Sequence, residues 1–150
     1  MRHSRQSYDV SATTSASPDV VYDLLVRPPT WPTWSPLDEL VVAETSPPGP
    51  DGREQVGSVR AWRVGKTFVS DRITELVPDR RVAYVDEVNT SLFDYAARVD
   101  LDRSPGGGTV IRWWGDYSVP LGRGLLMREY LRRFMGRMAD GLATHATSLA

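Results

Sequence analysis

Arg60, Asp71, Glu75, Tyr84 and Asp86 are the side chains of this sequence with the most chemistry to offer, because they interrupt segments otherwise suited to burial. A carboxylate or guanidinium in an apolar cavity is costly unless it is paired or used. Arg60 paired with Asp71, Glu75 or Asp86 could polarise a carbonyl or move a proton, and at least two of these four charges are expected to face solvent. The aromatic set Trp62, Tyr84, Tyr95, Trp113 and Tyr117 could stack on a flat ring while phenol hydroxyls orient its oxygens. Ordinary core filling is the competing reading of each of them. His145 could act as a base, but its place near a helix end suits a partly exposed packing residue better.

Other chemistries lack their parts. Two His, His3 and His145, lie almost a chain length apart and there are 0 Cys, so a catalytic zinc has no ligand set and none is expected. There is no Gly-x-Ser-x-Gly elbow for a hydrolase nucleophile. Gly106-Gly107-Gly108 leads into a strand, without the helix and Lys of a phosphate-binding loop. A formal net charge of -1 provides no overall field for nucleic acid, and no apolar run is long enough to span a membrane. No cofactor is implied. The polar start Met1 to Arg5 does not read as a secretory signal, so a cytoplasmic location is expected. All of the 18 basic residues but Lys66 are Arg, a usage that suggests a bacterial genome rich in GC.

The elements that must position these residues follow from periodicity. Tyr8, Val10 and Ala12 alternate with Asp9, Ser11 and Thr13 as a half-buried strand. Ser17-Pro18-Asp19 then opens a short helix, with Ser17 as cap, Pro18 in the first turn and Asp19 favoured by the helix dipole. Pro28-Pro29 ends it before Trp31-Pro32-Thr33-Trp34, whose two indoles are expected to close one end of a sheet rather than to recognise a ligand. Strands are expected over Leu37 to Glu44, Gly57 to Val64, Thr67 to Val77, Arg80 to Val88, Leu92 to Leu101 and Thr109 to Val119. Their short connections imply antiparallel neighbours. From Gly124 the period becomes helical, with an apolar stripe of Met127, Leu131, Phe134, Met138, Leu142, His145 and Leu149. Arg128, Arg132, Arg133 and Arg137 lie mostly off that stripe, as on a solvated helix face. At 150 residues with 41% hydrophobic composition, one domain spanning 1-150 is expected.

The capped entrance helix, the proline-held tryptophans and the long last helix together resemble the START-like, pollen-allergen-like superfamily (SRPBCC), in its polyketide cyclase/dehydrase branch. The resemblance implies an α+β helix-grip fold: a curved seven-stranded antiparallel sheet wrapped around the C-terminal helix, with two short helices after the first strand. It also implies a ligand cavity between sheet and helix. Alternation places Phe93, Tyr95, Ala97, Val99 and Leu101 inward, together with Ile111, Trp113, Gly115 and Tyr117. Trp114 would then need another cover, such as a partner subunit. Trp62 and Tyr84 are assigned inward partly because the family has large residues there, and Arg60 and Asp86 would share those faces. The Thr67 to Val77 strand is ambiguous: Val69, Ile73 and Val77 inward bring Asp71 and Glu75 with them, whereas Phe68 and Leu76 favour the opposite register.

These assignments lead to one expected site. Its wall is Trp62, Tyr84, Tyr95, Trp113, Gly115 and Tyr117 of the sheet with Phe134, Met138 and Gly141 of the helix, enclosing at least roughly 300 Å³. Gly115 would leave a gap between Trp113 and Tyr117 for a flat ring, and Gly141 would leave room beneath the sheet or serve close packing. The expected function is binding of a small hydrophobic, aromatic or polyketide-like molecule by a monomer or homodimer. One alternative is a polyketide aromatase/cyclase or dehydrase using Arg60, Asp86 and Tyr84 as catalytic candidates. The other is a non-catalytic resistance, stress or partner-binding protein.

Overall fold

The computed structural model describes residues 2–150. Strand β1 (His3–Thr14) leads into α1 (Pro18–Leu25) and the single turn α2 (Trp31–Trp34), followed by β2 (Glu39–Leu40), β3 (Val59–Val64), β4 (Thr67–Val77), β5 (Arg81–Val88), β6 (Phe93–Arg103), β7 (Thr109–Pro120) and α3 (Gly124–Leu149). The seven strands form one curved sheet in the order β1-β7-β6-β5-β4-β3-β2, antiparallel throughout. Every neighbouring pair except β1 with β7 is consecutive in the chain, as two-residue turns such as Gly65-Lys66 require. The concave face holds the core, and α1, α2 and α3 cover it.

Four local expectations are corrected and the open register of β4 is resolved. The second strand keeps only Glu39–Leu40 and gives way to a 3-10 turn at Val42–Glu44, because the Thr45 and Ser46 hydroxyls accept the amides of Ala61 and Val59 that a longer strand would have bonded. Strand β4 satisfies both proposed registers in turn: Ile73 pairs with Tyr84 and points inward, then a bulge at Thr74 resets the alternation so that Leu76 packs inward opposite Val82. Phe93 is 42% exposed instead of inward, since Asp94 takes a left-handed φ of 50° and the β6–β7 register slips between Phe93 and Ala96. It packs edge-on against His3.

In α3 the buried stripe is Leu131, Met135, Met138, Ala139, Leu142, Ala143 and Ala146, while Leu149 is exposed and Phe134 lies at the edge. The helix has turned its alanines to the core, where small side chains permit a closer approach than the large residues of the expected stripe would. Ser17 precedes α1 as expected but makes no side-chain cap bond; its hydroxyl donates to Asp19 instead.

Candidate functional site

Alternation along β3 sends Arg60 and Trp62 to the concave face, and Arg60 is completely buried there. Two carboxylates hold it. Its Nε donates to Asp71 Oδ1 on the neighbouring β4, and its Nη1 donates to Glu54 Oε1 at 3.1 Å. Glu54 arrives from the loop before β3, anchored by its own amide on the Val26 carbonyl at 2.8 Å and by the Arg53 side chain on Asp23. The guanidinium lies between two rings, 4.3 Å from the Trp31 centroid and 4.7 Å from that of Tyr84. Arg60 Nη2 and Glu54 Oε2 are buried without a hydrogen-bond partner.

The electrostatics follow from one cation between two carboxylates. Burial opposes the Arg60 charge, but Asp71 and Glu54 more than reverse this and hold its pKa above the ordinary value. Burial pushes Glu54 up to about 7 despite the attraction of Arg60. Asp71 is likewise raised by burial, with Arg60 pulling the other way, and its side chain keeps 14% exposure. That residual exposure opens onto a cleft.

The cleft occupies about 200 Å³ between β3, β4, β5, the start of β6 and the first half of α3. Trp31, Trp62, Val69 and Tyr84 form its inner wall, Leu92 and Tyr95 one side, and Met127, Leu131, Phe134, Met135 and Met138 the helical side. Asp71 is its carboxylate. Trp113 Nε1 donates to the Tyr84 hydroxyl at 3.0 Å, and the hydroxyls of Tyr8 and Tyr95 bond each other. Burial raises the pKa values of all three phenols, so Tyr8, Tyr84 and Tyr95 remain hydrogen-bond donors at neutral pH.

Residues 5–147 match the family described as "Polyketide cyclase / dehydrase and lipid transport". The chain belongs to that family. A START superfamily protein from Mycobacterium smegmatis has the same fold, with a TM-score of 0.76, 15% identity and coverage of 99% of this chain and 100% of that one. The protein XoxI from Bacillus cereus superposes with a TM-score of 0.68 at 15% identity, over 99% of this chain and 98% of its own. A Chromobacterium violaceum protein does so with 0.66 at 18% identity, over 94% and 97%. No curated protein matches the sequence.

The expected site residues divide in this fold. Trp62, Tyr84, Tyr95, Phe134 and Met138 line the cleft together. Trp113 and Tyr117 do not, because the space opposite them is filled: a Cβ at Gly115 would stand 2.7 Å from the Ala96 carbonyl and 3.0 Å from the Tyr8 hydroxyl. Tyr8, paired across from Gly115 on β1, occupies the gap expected for a ring. Gly141 likewise leaves no room, since its Cβ would stand 1.8 Å from the Trp34 carbonyl; it is the contact point of α3 with α2.

The expected charge partners also divide. Asp86 stands opposite Asp71 on β5, near Glu87, Asn89 and Asp94, and makes no ion pair with Arg60. Glu75 pairs with Arg81 outside the site. Glu54 was not expected, and nothing in strand alternation marks it, because a loop carried it inward. Trp31 is both a structural residue, its Nε1 donating to Leu25 O at 3.1 Å, and part of the cleft wall, stacked on Trp62. His145 lies in a separate groove with Trp34 and Asp140. Trp114 needs no partner subunit: Arg98 and Arg112 cover its ring, and its Nε1 donates to Asp100 at 2.7 Å.

The cleft differs from the expected cavity in place and size. It lies beside β3 to β5 and only the start of β6, away from β7, and its volume is below the roughly 300 Å³ typical of drug-sized ligand sites.

Proposed function

We propose that this domain binds a small, ring-bearing hydrophobic molecule with one polar end in the cleft between β3–β5 and the first half of α3. The observation that carries this reading is a largely apolar cleft whose single charged group is Asp71, beside Tyr84, with Arg60 fixed directly behind them. The ring would stack on Trp31 or Trp62 while the flexible methionines adjust to its outline. Its hydroxyl or carbonyl would meet the Asp71 carboxyl and the Tyr84 hydroxyl. The volume fits one or two fused rings, and a longer ligand would extend through the mouth past Tyr130. Calorimetric titration with naphthol tests this: saturable binding by the parent, and its loss in Val69→Trp with the melting temperature kept, are expected. Equal binding by Val69→Trp would overturn the assignment.

A second reading, proton transfer during cyclisation or dehydration of a ketone, is supported by Asp71 specifically. Its carboxyl faces the cleft, its pKa is raised, and Arg60 fixes its orientation. Asp71 would take a proton from the carbon beside a carbonyl while the Tyr84 hydroxyl donates to the oxygen on which charge develops. Deuterium uptake into β-tetralone distinguishes catalyst from container. Uptake above the buffer rate that Asp71→Asn abolishes supports catalysis; naphthol binding with no such uptake leaves binding as the function.

A further inference from the structure

The first turns of α3 carry an apolar surface that the fold does not use. Leu121, Leu125, Leu126 and Tyr130 are 56%, 77%, 82% and 60% exposed, clustered where β7 ends and the helix begins. Single exposed leucines are ordinary, but four large apolar side chains within ten residues form a patch. The helix buries its opposite side through Leu131, Met135 and Met138, so no rotation could bury both faces.

The charges around this tip are predominantly positive. Arg123, Arg128, Arg132, Arg133 and Arg137 surround it, and Glu129 is the one carboxylate in residues 121–137. Glu129 is taken up by Arg132 and Arg133, while among the described residues Arg123, Arg128 and Arg137 have no ion-pair partner. Arg2 adjoins the tip, its carbonyl accepting the Leu121 amide at 3.2 Å. Across the cleft mouth, the β3–β4 turn contributes Lys66 and the β5–β6 loop only the uncharged residues Asn89 to Leu92.

We infer that the α3 tip docks on an anionic lipid surface, with Leu121, Leu125, Leu126 and Tyr130 entering the interface and the arginines meeting lipid phosphates. An apolar face rimmed by basic residues is the pattern that holds a helix at a charged membrane surface without crossing it, and no helix among the described residues is long and apolar enough to cross. A patch of four side chains over about two helical turns also suits a soft, deformable surface better than a protein partner, which needs about 800 Å² of complementary area on each side. Tyr130 belongs both to the tip and to the cleft wall, so docking places the cleft mouth at the lipid boundary.

Sedimentation with vesicles tests the inference independently of the cleft's ligand. The probes are vesicles of phosphatidylcholine alone and of an equal mixture of phosphatidylcholine and phosphatidylglycerol. The protein is expected to sediment with the mixed vesicles and not with the neutral ones, and to be released in about 1 M salt, where screening acts within about 3 Å. Leu125→Ser with Leu126→Ser should weaken the association about tenfold or more, with melting temperature and naphthol titration unchanged. Arg128→Gln with Arg133→Gln should weaken it at low salt. Absence of binding to either vesicle, or full binding by the leucine variant, would overturn the proposal. So would a dimer in solution that the leucine variant dissociates, because the tip's occupant would then be a second copy of this chain.

Discussion

One curved sheet and one helix enclose two unlike halves. Over β1, β7 and β6 the concave face is solid: Tyr8 fills the space at Gly115, Trp113 and Tyr117 are fully buried, and the alanine-rich second half of α3 packs closely on β1. Over β3, β4 and β5 the first half of α3 presents Met127, Phe134, Met135 and Met138, and a cleft remains. Side-chain size along the helix explains the difference. Ala139, Ala143, Ala146 and Gly141 let the backbone approach sheet and α2, whereas the bulkier residues nearer the start hold the helix away. A curved sheet can be gripped tightly at one end of a helix only by opening at the other.

Substitutions at the boundary between the halves should have the largest effects. Trp31 touches both, stacking on Trp62 and meeting Trp113 edge-on. Trp31→Ala should cost about 3–5 kcal/mol, as for other buried large-to-small changes, and should weaken naphthol binding as well. Thermal denaturation together with calorimetry checks this; intact stability with lost binding would make Trp31 a ligand residue alone.

Gly141→Ala places a methyl group against the Trp34 carbonyl, so the closed end must shift. A loss of about 1–3 kcal/mol is expected from such overpacking, measurable by denaturant unfolding. The open half should behave oppositely at Gly136, where an added Cβ meets nothing within 4 Å.

Glu54 gives the polar floor a pH signature. Its carboxyl is held up to about 7 against an ordinary 4.5, so between those values the folded protein keeps a proton that the unfolded chain has lost. Stability is therefore fully present below the ordinary value and falls as pH rises through about 7. Glu54→Gln should flatten that slope, with differences on the order of 1–2 kcal/mol across the window. An unchanged pH profile would show that another group carries the proton. The smallest effect expected is a gain of about 0.5–1 kcal/mol in Gly136→Ala, from helix propensity alone.

What could be read from the sequence follows the same division. Strand alternation placed Tyr95 on the inner face, and alternation together with the family resemblance placed Trp62 and Tyr84 there; all three line the cleft, because period and burial agree where a strand is regular. Alternation left β4 undecided and misplaced Phe93, where a bulge or a left-handed residue resets the alternation within a strand and leaves no compositional mark. Asp71 was recognised as a possible partner of Arg60, while Glu54 was invisible because loop geometry brings it in. Trp113, Tyr117, Gly115 and Gly141 stand outside the cleft for a different reason. A cavity is space left unfilled, and whether Tyr8 or the Trp34 backbone fills it depends on contacts between distant parts of the chain.

The central claim is that the open half, and not the aromatic wall at Trp113, receives the ligand. Two-dimensional NMR of protein labelled at its methionine methyls and indole nitrogens tests it directly during titration with naphthol. The account expects saturable shifts for Met127, Met135, Met138, Trp31 and Trp62, which line the cleft, with Trp114 unmoved on the outer face. Shifts confined to Trp113, with the three methionines and Trp62 unchanged, would contradict it.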